Sequence, residues 1–275
     1  MKFSSCITNS TIFVEPFEKI LDAFVDAGFD GIDIPGDIEN YPPSMVRDVM
    51  ASYDDKLAMA EITAMINPNR DLINPNEKIR NSAATYIKSC IRTAAELDVK
   101  LTHFCFITTR NILQEMPRSG LEERAIKSIK ELAAYAEEYD VKLLMEPLFA
   151  DDCTIVKTCE DAVDLWKRAL GIDEEVFLSG ITEYGLLQDI FHMHHEEDDL
   201  LGSLEKYNKI TYHRHIADHP RGLDFSRADT DFAKQSLLKI QELDYSGFIS
   251  FESFNPDFGL NELKQSLTQL KSLLD

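Results

Sequence analysis

The sequence predicts a (β/α)8 barrel of the TIM type. Three observations carry that prediction. Short apolar runs alternate with amphipathic stretches from end to end, there are eight such runs, and the chain has 275 residues. A barrel of this kind typically needs about 250 residues, and regular strand–helix alternation points to a parallel sheet covered by helices.

The elements read in order. Strands are expected at 2–7 (KFSSCI), 30–34 (DGIDI), 57–62 (LAMAEI) and 101–107 (LTHFCFI). Four more follow at 141–146 (VKLLME), 185–191 (GLLQDIF), 210–217 (ITYHRHIA) and 248–253 (FISFES). They are short, rich in Ile, Leu, Phe and Val, and bounded by turn residues. Helices fill the intervals. Residues 16–27 place Phe17, Ile20, Leu21, Phe24 and Val25 at three- and four-residue spacing, with Pro16 suited to a first turn and Gly28 to a C-terminal cap. Residues 77–97 carry Ile79, Ala83, Tyr86, Ile87, Cys90, Ile91, Ala94 and Leu97 on one side. The pattern returns at 121–139, 160–170, 229–243 and 260–274, and is less clear at 43–53 and 198–207. The alternative is a doubly wound open sheet, but no GxGxxG or GxxxxGK[ST] follows any strand. Without a linker or composition shift, residues 1–275 are expected to form one domain.

Composition narrows the function. Lys plus Arg total 28 and Asp plus Glu total 49, a net charge of −21. That charge opposes binding modes that neutralise phosphates, so neither nucleic acid nor an anionic membrane is expected as a partner. No apolar run reaches the roughly 18 residues of a membrane span. The five cysteines (Cys6, Cys90, Cys105, Cys153 and Cys159) form no CxxC pair. With only Lys2 basic near the start and no signal-like apolar run, a reducing cytoplasm is the expected compartment.

Chemistry in such a barrel sits at the C-terminal strand ends. Strand 5 ends at Glu146, strand 6 carries Asp189, strand 7 carries His215 and strand 8 ends at Glu252. A carboxylate inside an apolar run is costly to bury unless it is paired or binds a metal. Taken singly, each is as well read as a cap or core residue; four on consecutive strands converge on one point. Three carboxylates and one imidazole suit Mn²⁺, with Mg²⁺ or Co²⁺ as alternatives.

The stretches MEPL, QDIFHMHHEE, HRHIADHPR and YSGFISFES, with GFDGIDIP (28–35) and INPNRDLINPNEKIRNSAATYIKSCIRTAAEL (66–97), resemble the xylose isomerase-like barrels. Among these, the set is most similar to the ketose 3-epimerases acting on tagatose and psicose. The resemblance implies that Glu146 and Glu252 are catalytic glutamates and metal ligands, and that Asp189 and His215 complete the metal site. It implies substrate binding by His192 and Arg221. Asp152 stands where the epimerases usually have a second Glu, one methylene shorter here. GLDFSRAD replaces a PGxG-like segment, and 171–184 is longer than usual. The implied activity is metal-dependent epimerisation of a ketose at carbon 3 through a cis-enediolate, in a homodimer or homotetramer.

Other residues carry two readings. His194 and His195, followed by Glu196, Glu197, Asp198 and Asp199, either form a second metal site or, as expected, start the loop and first turn of the sixth helix. Arg70 either reaches substrate or pairs with Asp71 or Glu77, and Arg110 is similar. His213 shares its strand face with His215. Asp33 and Glu61 either extend the polar barrel mouth or form salt bridges. Phe106 and Trp166 are expected in packing. Competing functions are an aldose–ketose or hydroxypyruvate-type isomerase or inosose dehydratase, a DNA-repair endonuclease, and a non-catalytic sugar-binding barrel. The endonuclease needs more early histidines than His103 alone, and a basic groove.

Overall fold

Eight parallel strands close into a barrel in sequence order, each hydrogen-bonded to the next and β8 to β1. The computed structural model describes residues 1–8, 10–65, 67, 69–107, 116–153 and 155–274. The strands are β1 (Lys2–Cys6), β2 (Gly31–Pro35), β3 (Ala58–Thr63), β4 (Leu101–Phe104), β5 (Lys142–Met145), β6 (Tyr184–Asp189), β7 (Thr211–Ile216) and β8 (Phe248–Phe251). All eight fall within a residue or two of the expected starts. Several end earlier than expected. β4 stops at Phe104 rather than 107, and β6 stops at Asp189 because that side chain turns to cap a helix.

The expected helices form: α2 (Phe17–Ala27), α4 (Glu77–Glu96), α5 (Arg118–Glu138), α6 (Cys159–Leu170), α10 (Asp231–Glu242) and α11 (Leu260–Ser272). The two unclear connections are α3 (Pro43–Met50) and α9 (Leu200–Lys206). Three short helices were not anticipated: α1 (Ser10–Phe13), α7 (Glu174–Leu178) and α8 (Ile190–Glu196). α7 accounts for the irregular stretch before β6. His194 and His195 lie in the last turn of α8, not at the start of a helix. Asp189 makes this difference: its Oδ1 accepts from Phe191 N at 2.9 Å, so a helix starts directly off the strand.

Local chemistry explains the boundaries. α2 buries Phe17, Ile20, Leu21 and Phe24, and Gly28 at φ 88° ends it by donating to the Phe24 and Val25 carbonyls. Thr158 and Asp161 form a reciprocal capping box at the start of α6. Side chains alternate along β7. Arg214 turns outward to Gln188, Asn208 and the Tyr245 ring, so His213 and His215 turn into the barrel. Among the described residues, no helix is long and apolar enough to cross a membrane. All five cysteines are buried free thiols.

Trp166 ties the helical layer to the sheet. It is fully buried, donates from Nε1 to the Gly185 carbonyl at 3.2 Å, and packs against Tyr184 and Phe104 with ring centroids 5.0 and 5.8 Å away. Phe106 is fully buried against Phe104. Both are packing residues, as expected. Trp166→Ala should cost about 3–5 kcal/mol of stability, read as a lowered midpoint in guanidinium denaturation followed by circular dichroism.

Candidate metal centre and cavity

The strand ends deliver four ligand-type side chains to one point. Glu146 follows β5 and its N–H still bonds the Phe104 carbonyl at 3.0 Å; Glu252 follows β8 and bonds the Ile216 carbonyl at 3.2 Å. Asp189 and His215 are register partners on β6 and β7. One ligand atom from each of Glu146, Asp189, His215 and Glu252 lies within 4.8 Å of the others, and all four residues are buried. His215 Nδ1 lies 3.7 Å from Glu146 Oε1 and 3.4 Å from Glu252 Oε2.

Two of these buried atoms, Glu146 Oε1 and His215 Nδ1, have no hydrogen-bond partner. An orphaned buried acceptor costs about 1–3 kcal/mol, and a divalent cation at this point would satisfy both. Three carboxylates and one imidazole nitrogen are also the donor chemistry of such an ion. The residues therefore fit a divalent metal.

Arg221 supplies positive charge to the same group. Its Nη1 lies 2.9 Å from Asp189 Oδ2, and its Nη2 donates to Glu252. The guanidinium rests between Phe191 and Phe254, with 4.8 and 5.4 Å to the ring centroids. Its backbone is left-handed at φ 74°, a conformation costing on the order of 1–3 kcal/mol in a non-glycine residue. Arg221 N donating to Asp218 O, Asp218 N to Gly222 O, and Ser253 Oγ to Arg221 O hold it there.

The carboxyls of the two glutamates are shifted in opposite directions. Burial pushes the Glu146 carboxyl above the usual carboxylate range, only partly offset by the nearby His215 ring. Burial acts on Glu252 too, but the charges of His215 and Arg221 outweigh it and hold that carboxyl far below the range. His192 is kept neutral, at about 3, by burial and then by the Arg221 charge. Its Nε2 lies 3.0 Å from Arg221 Nη1 and 3.5 Å from Asp189 Oδ2, and its Nδ1 is 3.2 Å from Phe149 N.

These groups line a cavity of about 700 Å³. His103, Glu146, His192, Arg221 and Glu252 form its floor, and Phe149, Phe191 and Phe254 form apolar wall. Asp152 lines the same cavity and is exposed. Five of the seven residues selected from the sequence, Glu146, Asp152, His192, Arg221 and Glu252, line this cavity, and Asp189 and His215 join it through the ligand cluster with Glu146 and Glu252. Arg70 is elsewhere: it donates to the Met65 carbonyl at 2.8 Å and stacks on Tyr86 at 3.7 Å, rather than pairing with Asp71 or Glu77. Arg110 lies outside the described residues.

A second layer lies beneath, where the salt-bridge reading of Asp33 and Glu61 holds and His213 shares the face of His215; the part of His103 in it was not anticipated. His103 Nε2 is 3.7 Å from Glu146 Oε2, and His103 Nδ1 is 2.9 Å from Glu61 Oε1. Asp33 and Glu61 do not extend the barrel mouth; both are fully buried among His213, His215 and His103. A histidine inside the apolar LTHFCF run was a signal of the same kind as His215. The aromatic wall had no such signal.

A sequence model of the xylose isomerase-like TIM barrel family matches residues 21–273. The chain is 24% identical over 221 residues to a D-psicose 3-epimerase of Enterocloster bolteae, covering 74% of this chain and 66% of that one, just under two thirds of the relative's length. Its fold superimposes on D-psicose 3-epimerase with D-tagatose from Clostridium cellulolyticum H10 with a TM-score of 0.79, 17% identity and complete coverage of both chains (100% each). It superimposes on the apo 3-keto-D-glucoside 4-epimerase from E. coli with a TM-score of 0.78, 19% identity and 99% coverage of each.

Because Asp189 is both a helix cap and a candidate ligand, Asp189→Asn keeps the cap and removes the charge. It should weaken binding of Mn²⁺ at least about tenfold, taking the change as one lost charged ligand worth 1.4 kcal/mol or more. Isothermal titration of the metal-stripped chain with Mn²⁺, at unchanged circular dichroism, measures this.

Proposed function

The chain belongs to the xylose isomerase-like TIM barrel family, and from that premise we propose that it is a divalent-metal-dependent sugar epimerase inverting a ketose at carbon 3. The observation that carries this reading is the pair Glu146 and Glu252. They are two glutamates at one cavity whose carboxyls are shifted in opposite directions. Environments that separate two carboxyls in this way assign one as acid and the other as base. The name of the psicose epimerase relative supports a ketose as substrate.

Inversion beside a carbonyl requires removal of a proton from one face and its return to the other. Glu252, ionised beside Arg221, takes the carbon-3 proton. Glu146, whose proton affinity burial raises, returns a proton to the opposite face. In the reverse direction the two exchange roles. Each contributes roughly 10²–10⁴-fold. A divalent cation held by Glu146, Asp189, His215 and Glu252, for which we assign Mn²⁺, supplies Lewis-acid stabilisation of negative charge on the substrate oxygens. Arg221 and the neutral His192 donate to oxygens that gain charge as the proton leaves. Asp152, at the cavity wall, accepts from a sugar hydroxyl. Phe149, Phe191 and Phe254 cover the apolar C–H face and exclude water. The cavity of about 700 Å³ lies in the range of small-molecule sites, about 300–1,000 Å³, and admits a monosaccharide.

The test is turnover of a ketose panel with Mn²⁺ in D₂O, followed by NMR. Carbon-3 epimers should form with solvent deuterium at carbon 3. Glu146→Gln and Glu252→Gln should each lose roughly 10²–10⁴-fold in kcat, with bound Mn²⁺ verified by metal analysis. Near wild-type turnover in either metal-loaded variant, or deuterium only at another carbon, would sink the reading.

A further inference from the structure

Beneath the centre described above, a second group of ligand-type side chains fills the barrel axis. Asp33 on β2, Glu61 on β3, and His213 and His215 on β7 each place one ligand atom within 4.8 Å of the others, and all four are buried. Their side chains are 0% exposed. We propose that Asp33, Glu61, His213 and the Nε2 atom of His215 form a second divalent-metal site, joined to the first through the His215 ring.

The spacing argues for an ion. His215 Nε2 lies 3.7 Å from Asp33 Oδ2 and 3.8 Å from Glu61 Oε2, and His213 Nε2 lies 3.9 Å from Glu61 Oε2. These separations are too long for hydrogen bonds. They are close to the roughly 3.4 Å edge of a tetrahedron of ligands about 2.1 Å from Zn²⁺. Only His213 Nε2 and Asp33 Oδ2 have closed to a direct 2.8 Å contact.

An unsatisfied atom argues for it too. Glu61 Oε2, which faces His213 Nε2 and His215 Nε2, is buried and has no hydrogen-bond partner. Glu61 gives its other oxygen to His103 at 2.9 Å, leaving Oε2 aimed into the group. His103 thus takes the outer-layer role usual for a carboxylate ligand. Cys6 Sγ donates to Asp33 Oδ2 at 3.3 Å and lies 3.7 Å from His215 Nε2, closing the group below β1.

Two imidazoles and two carboxylates suit four-coordinate Zn²⁺, whereas the upper set, richer in oxygen, suits Mn²⁺. The His215 ring presents Nδ1 to the upper group and Nε2 to the lower, so one imidazole serves both. Filling the lower group requires Nε2 of both His213 and His215 to be deprotonated, and any proton held there leaves to solvent.

The proposal does not depend on the sugar reading, and its test reads metal content alone. The metal-stripped full-length chain is loaded with Zn²⁺, desalted and assayed for zinc. Wild type should hold two equivalents. Asp33→Asn and Glu61→Gln should each hold one, and Asp189→Asn should retain the lower ion. One equivalent in wild type overturns the proposal. So do two equivalents in folded Asp33→Asn and Glu61→Gln. If both variants fail to fold, the wild-type stoichiometry decides alone. Loss of ketose turnover with two ions still bound counts against the epimerase reading only.

Discussion

The barrel axis is organised by the cost of dehydrating carboxylates. Asp33, Glu61, Glu146, Asp189 and Glu252 all lie at 6% exposure or less. An unpaired buried charge costs far more than a domain's net stability. Each of the five must therefore be answered by a cation, a donor or a neutralising proton. The answering groups, His103, His213, His215 and Arg221, are as buried as the acids or nearly so. The strand register serves the same end. Asp33 and Glu61 become partners through a register shift after Ile32, and Asp189 meets His215 through another after Leu186.

That constraint explains the asymmetry of the two glutamates. They are the same residue type, one residue beyond the ends of β5 and β8. What separates them is the charge of His215, nearer to Glu252 than to Glu146, together with Arg221, which pairs with Glu252 and Asp189. The left-handed backbone at Arg221 and the turn from Asp218 to Gly222 place the guanidinium on one side of the group.

Much of the fold and half of the site could be read from the chain itself. Strand–helix alternation is a local signal, and Glu146, Asp189, His215 and Glu252 each stand as a polar residue inside a short apolar run. Arg221 and His192 have no such local mark; only the resemblance of HRHIADHPR and QDIFHMHHEE pointed to them. The partners within the lower layer were out of reach for a different reason. Asp33 meets His213 across 180 residues, and Glu61 meets His103 across 42. Which interior residues share a level depends on register shifts that no single strand announces. α8 was missed because Asp189 was read as a strand residue with one role, when one oxygen caps a helix and the other meets the Arg221 guanidinium.

Charge balance links the two layers. In the upper group three carboxylates face one guanidinium, and a single divalent ion would bring the group to neutrality. In the lower group two carboxylates face neutral or protonated imidazoles, and a divalent ion would again cancel them. When both are filled, the shared His215 ring must give up its last proton and carry one negative charge. His103 answers that charge. Burial lowers its proton affinity, but Glu61 and then Glu146 outweigh burial and hold the imidazolium above its usual range. His103 touches a carboxylate of each layer and forms an edge-on contact with the His215 ring, centroids 5.8 Å apart. A protonated His103 in that position would make the doubly loaded axis electroneutral, and its contacts place this residue, on a strand that carries no ligand of its own, between the two groups.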